Sequence, residues 1–458
     1  MKKLLILSVV LSAYSFGFGQ SAMDFYEAGK DKHLQQDYRG AISDYTKAIG
    51  LDNNFTAAYE SRAYCRSNLA DFNGAIADIS MAIKVEDLDS LKSDLYIYRG
   101  QLKEESGDYL GAMDDYGQAI EHFAAGGGHS FRGSLNQRYG LSERALVDLD
   151  EAIKKWPKGW NDYTMRGRAK LDLGDYKGAV LDFTISIKNN TFDSAGNFPV
   201  YINKTTAAQS FFHRGFAKSF LKDKIGALSD FDKSIELGLE DWNVFYYRGI
   251  VNLQLNYNDL ALLDFSKVIE MNDTISNAYF SRGLIRARLE AFDKALLDFS
   301  AAIRLNSKIA VYYANRGYAK AQLHDYKGAV ADYSSAISLD SKDADCYISR
   351  GEVKLRLDDY KGAVADYNTA ISLGSSSPIS FYGRGAAKFL LSDFRGAISD
   401  MNNALAYNQR FPEEGQAYFV RGICKINIGQ LDSGCLDLSK AGEMGIGDAY
   451  DLIREHCN

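Results

Sequence analysis

The chain has 458 residues, a formal net charge of -7 and no long Lys/Arg run, so it lacks the electrostatic footprint of a nucleic-acid or anionic-membrane binder. Only 4 prolines occur, which argues against Pro-rich linkers, and 46% hydrophobic with 13% aromatic residues argues against a disordered chain. Forty glycines recur at fixed intervals, and that periodicity decides the reading.

Residues 1–19 are predicted to be a cleavable secretory signal. Met1-Lys2-Lys3 is positive, Leu4 to Ala13 is apolar but short for a bilayer, and Gly17-Phe18-Gly19 is a small-x-small site before Gln20. The alternative is an uncleaved anchor, since Tyr14 and Phe16 prolong the apolar run. No cysteine follows the site and no later apolar run is long enough to span a membrane. The mature chain is therefore expected to be exported, periplasmic or secreted, without stable membrane insertion. Export makes Cys65, Cys346, Cys424, Cys435 and Cys457 disulfide candidates, with at least one left free.

From residue 20 onward one pattern returns, mostly every 34 residues. Its marker alanine falls at Ala41, Ala75, Ala112, Ala145, Ala179, Ala227, Ala261, Ala295, Ala329, Ala363 and Ala397, then Gly434, which defines repeats 1 to 12. In repeat 9, Tyr313, Arg316, Gly317, Lys320 and Leu323 share one helical stripe. Asp325 is placed to cap a second helix that buries Ala329, Val330, Tyr333 and Ala336. A mid-helix glycine costs about 1 kcal/mol relative to alanine. Its return in eleven first helices, from Gly29 to Gly422, predicts close approach, with the small alanine of the second helix facing it. A lone hairpin cannot bury its apolar face, so neighbours must stack.

A 48-residue step before Ala227 holds an insertion at 189–208, with Ser194-Ala-Gly-Asn-Phe-Pro199 at its centre. It reads as a surface loop or a partner-contacting excursion. It separates repeats 1–5 (20–188) from repeats 6–12 (209–445), and 446–458 is a helix, capped at Gly447-Asp448, that shields the last repeat.

No catalytic motif emerges. The six histidines fall in different repeats without metal-pair spacing, Gly126-Gly127-Gly128 lacks the Lys-Ser/Thr of a phosphate loop, and Gly128-His129-Ser130 belongs to the repeat register. Neither cofactor nor metal is expected. The triplets Asn189-Asn190-Thr191 and Asn203-Lys204-Thr205 match the glycosylation pattern, which is too common to weigh.

These residues resemble the tetratricopeptide repeat: an aromatic such as Tyr347, a small Gly351, then Ala363, Tyr367 and Ala370, in register through nearly the whole mature chain. His129 alone departs from the aromatic slot, arginine precedes the glycine where the family has leucine, and the family's terminal proline survives only at Pro157. The resemblance implies an all-α fold, a right-handed α-solenoid of about twelve hairpins with a C-terminal capping helix. It also implies a non-catalytic scaffold whose first helices line a concave groove for a protein or peptide. The alternatives are a structural component that assembles through its ends or convex face and, less favoured, an enzyme.

Three site expectations follow. Arginine fills one slot from Arg62 to Arg421 and aspartate another from Asp44 to Asp437, but repeat 1 has Ala28 in place of arginine. Each Asp is therefore predicted to pair with the Arg of the next repeat, Asp44 with Arg62 and Asp332 with Arg350. Cys435 lies at a slot facing the terminal helix that carries Cys457, so either a disulfide or two buried thiols is expected, while Cys65 and Cys424 should be inert. Finally, the residues after the aromatic and after the glycine are expected to point away from the packed stripe. They are polar early (Glu60, Gln101, Ser134, Thr164, Arg168) and apolar later: Phe212, Phe216, Tyr246, Ile250, Phe280, Leu284 and Tyr318. These seven are the expected ligand groove, unless curvature buries them against adjacent first helices.

Overall fold

The computed structural model describes residues 20–123, 127–192, 200–201, 203–375, 377–407 and 411–457. The expected signal at 1–19, Gly126 and the Ser194–Pro199 centre of the insertion lie outside the described residues. Helices follow one another in antiparallel pairs, from Ala22–Leu34 with Tyr38–Leu51 to Glu414–Asn427 with Leu431–Glu443, and Asp448–His456 closes the chain. The fold is an all-α array of stacked hairpins. Within the insertion, Thr191–Phe192 pairs antiparallel with Val200–Tyr201.

One device shapes every hairpin and a second is added in eight of them. At the turn one residue adopts the left-handed region: Gly107, Gly140, Gly174 or Gly429 in some repeats, but Ala70, Lys222, Glu290 or His324 in others, with φ near 60°. Just after it an aspartate caps the second helix, as Asp325 does by accepting from Gly328 N at 2.9 Å. A Cβ at Gly328 would lie 2.1 Å from that carboxylate. Cap and glycine travel together: eight repeats have both, from Asp37/Gly40 to Asp393/Gly396. The four without the aspartate have Arg144, Leu260, Lys294 or Ser433 at the glycine slot.

The mid-helix glycines mainly face a ring. A Cβ at Gly100 would sit 2.6 Å from the Tyr116 ring and one at Gly283 2.7 Å from Phe299, so the aromatic four residues after the marker alanine fills the space. The alanine expected there contributes its carbonyl instead, 3.1 Å from the Cβ position of Gly215 for Ala227. Tyr45, Tyr116, Phe183 and Phe231 are fully buried in this way, as are Phe265, Phe299 and Tyr367, each contributing roughly 1.5–3 kcal/mol of burial.

The chain forms two compact units, Met1–Glu240 and Asp241–Asn458. The first holds repeats 1–6. Its insertion does not interrupt stacking, because the buried Asn190 side chain bridges the loop ends, donating to Asn203 O at 2.8 Å and accepting from Asn203 N at 3.0 Å. The second holds repeats 7–12 and the terminal helix. There Ala449 packs on Leu438 and Ala441, and Cys435 and Cys457 form a disulfide.

Candidate ligand-binding face

The buried aspartate of each second helix orients the first helix beside it. Arg350 Nε and Nη2 donate to Asp366 at 2.9 and 2.6 Å, within one repeat, and Lys354, one turn later, reaches the same carboxylate at 2.8 Å. Arg62 grips Asp78 in the same way, and Arg316 grips Asp332. The expected pairing between repeats, Asp44 with Arg62 and Asp332 with Arg350, is therefore wrong. Repeat 1 misleads because its first helix keeps the second donor: Lys32 reaches Asp44 at 2.5 Å, and Lys47 adds 3.1 Å. Although burial opposes it, these two ammonium groups hold the Asp44 carboxyl below its usual range.

The arginine does reach the preceding repeat, but through another acceptor. Nη1 of Arg350 donates to Ser334 at 2.9 Å and Nη1 of Arg62 to Thr46 at 3.0 Å, each acceptor two residues after the aspartate. The guanidinium also lies over its own aromatic, 5.6 Å from the Tyr347 centroid. In repeat 4, where His129 replaces the aromatic, its Nδ1 meets Asp148 instead.

The seven expected groove residues are mostly engaged in packing. Phe212 (beside Phe231) and Phe216 (beside Phe220) are half-buried in the first unit. In the second, Tyr246 meets Phe265 edge-on, Ile250 joins the same cluster, Phe280 lies 5.8 Å from Phe299 and 4.8 Å from Tyr312, and Leu284 packs beside it. Only Tyr318 is exposed, at 46%. Among the early polar slots Thr164 is buried, its hydroxyl 2.6 Å from Ser186 and 3.2 Å from Ser210. The slot after the aromatic thus faces the seam between neighbouring repeats, because stacking covers what a single-helix projection leaves open.

The same two slots, followed two repeats further, reach open space. Repeats 9 to 12 have first helices Ala310–Gln322, Ala344–Arg356, Pro378–Leu390 and Glu414–Asn427. A cavity of about 690 Å³ lies among them, lined by Glu352 after the glycine of repeat 10, Tyr382 after the aromatic of repeat 11, Arg356, Tyr367 and Glu413. An acid and a lone aromatic, Glu352 and Tyr382 fall outside the apolar run that ends at Tyr318. Burial, with Glu413 reinforcing and Arg356 opposing it, raises the Glu352 carboxyl above its usual range. Burial likewise raises Tyr382 and Tyr367.

Among the described residues no group of three or more His, Cys, Asp and Glu side chains is arranged to hold a metal. None of the described helices is long and apolar enough to cross a membrane. Burial pushes the Cys65 and Cys424 thiols up to about 11, leaving them protonated at neutral pH.

Hairpins stacked on a repeated small-residue and aromatic register define a helical-repeat fold. Residues 315–378 match the tetratricopeptide-repeat family model. None of the curated proteins matches it in sequence. Among solved structures it is similar to YrrB, "a TPR protein with an unusual peptide-binding site", at 20% identity over 42% of this chain and 92% of that one, TM-score 0.37. A tetratricopeptide-repeat protein from Parabacteroides merdae is 16% identical over 55% and 99%, TM-score 0.41. Yeast Tom70 is 18% identical over 94% and 93%, TM-score 0.33.

Proposed function

We propose that the chain is an exported, non-catalytic scaffold that holds a protein or peptide against its first helices in repeats 9 to 12. The open cavity on that face carries the reading, because in repeats 7 and 8 the same slots are consumed by packing. A photoreactive residue at exposed Tyr318, on this face, should crosslink a partner in native extracts, whereas one at Leu436, 72% exposed on a second helix, should not. Equal capture at both positions would refute the assignment. Export rests on residues 1–19 and is tested by N-terminal sequencing of the mature protein, expected to start at Gln20.

A second reading has its own observation. Second helices expose an apolar residue two places after the marker alanine: Leu263 at 67% and Leu297 at 71% in adjacent repeats, with Leu436 further on. Such a patch suits assembly through the second-helix face. Leu263→Glu with Leu297→Glu would then lower the sedimentation coefficient of an assembled form, and an unchanged value leaves that reading without support.

A further inference from the structure

The cavity of repeats 9 to 12 contains polar atoms that the protein leaves unserved. Glu413 stands at the N-cap of its helix yet caps nothing, and its Oε2 is buried with no hydrogen-bond partner among the described residues. Tyr367 is 0% exposed and its hydroxyl likewise has no partner, although it lines the cavity. The slot can be satisfied internally, since in repeat 3 the equivalent Tyr116 donates to Glu104 of its own first helix; repeat 10 has Leu355 there. Tyr367 instead extends to the first helix of repeat 11, where glycine makes room: a Cβ at Gly383 would lie 2.5 Å from its hydroxyl oxygen. Buried polar groups without partners are costly, and both of these border a cavity large enough for a side chain.

Charge selects the ligand. Glu352 and Glu413 line the wall against one guanidinium, Arg356, and the imidazole of His324, so with the imidazole neutral one net negative charge lies beside the Tyr382 ring. We propose that this cavity binds one cationic side chain, an arginine or lysine of a bound peptide. Glu352 and Glu413 accept its donors, Tyr382 packs along it, and Tyr367 donates to a peptide carbonyl. The proposal rests on the first-helix reading above and adds the chemistry of the partner.

The test uses the full chain and a displayed library of random ten-residue peptides. Recovered peptides should share a basic residue, and resynthesis with citrulline for arginine or norleucine for lysine should weaken binding at least tenfold. The Glu352→Gln, Glu413→Gln double variant should show the same loss at an unchanged melting temperature. Tyr367→Phe should weaken binding about threefold while keeping or raising that temperature. Recovered peptides that lack a basic residue, or that bind the double variant as tightly, would overturn the cation site but leave the first-helix reading standing. Failure to recover any peptide would overturn both. If N-acetyl-arginine amide alone binds as tightly as the peptides, a peptide is not the source of the cation.

Discussion

From repeat 2 to repeat 12 the buried aspartate of the second helix is held by an arginine fork from its own first helix, which makes the ion pairs the sharpest point of test. Arg350 and Asp366 are 17% and 5% exposed, so deleting Asp366 should cost about 3–5 kcal/mol in urea unfolding by stranding Arg350, and deleting Arg350 should cost less, because Lys354 still holds the carboxylate. A double-mutant cycle should show strong coupling between Arg350 and Asp366 and almost none between Arg350 and Asp332; the reverse would restore the pairing between repeats. That both residues are structural was legible from their recurrence. Which ones meet was not, because Lys32 masks the missing arginine of repeat 1 and is itself an ordinary surface-type residue in sequence. A second residue-scale expectation concerns His213, stacked on Phe183 and tilted against Phe212. Burial, with Arg168 adding to it, lowers its pKa to about 3. Below pH 6.5 the unfolded chain binds a proton that the folded chain does not. Stability should therefore fall as pH falls from about 6.5 towards 3, by at most about 1.4 kcal/mol per unit. His213→Phe should flatten that slope between pH 6.5 and 5, and an unaltered slope would contradict the assignment.

At the scale of the element, hairpin geometry rests on the left-handed turn residue and the cap that follows it. Ala70→Gly or Glu290→Gly should raise the urea midpoint, by about 1 kcal/mol of stability, since a side chain at φ 61° or 58° is strained. Asp325→Ala should lose about 1 kcal/mol through the cap. If the glycines instead destabilise, the turns are not as described. The cap was readable from Asp325 starting a new stripe, and the turn from the broken pattern at His324. What faces the mid-helix glycine was not readable, because Ala329 and Tyr333 lie on one stripe and sequence cannot say which side chain reaches across. At the far end the Cys435 to Cys457 disulfide ties helix Asp448–His456 to repeat 12. Cys435→Ser with Cys457→Ser should speed amide exchange in that helix while leaving the helices of repeat 7 unchanged, and equal exchange with and without the bond would show that packing alone holds it.

For the whole molecule, repetition made the fold accessible from sequence while concealing the site. Twelve copies of one register announce stacked hairpins, but a ligand site must depart from that register, and its departures look like ordinary variation. Glu352 and Tyr382 occupy the same two slots as the expected groove, but an acid and a lone aromatic do not continue the run Tyr246, Ile250, Phe280, Leu284. Those four pack against Phe265, Phe299 and Tyr312. Tyr246→Ala with Phe280→Ala should therefore lower stability by several kcal/mol, rather than act on binding alone as a free groove would require. The most direct test of the account is hydrogen exchange on the full chain with and without a library-selected peptide. Protection should concentrate in the first helices of repeats 9 to 11, around residues 321–324, 352–356 and 379–386, and at Glu413. Protection confined to second helices such as Phe292–Leu305, or none at all at saturating peptide, would contradict it.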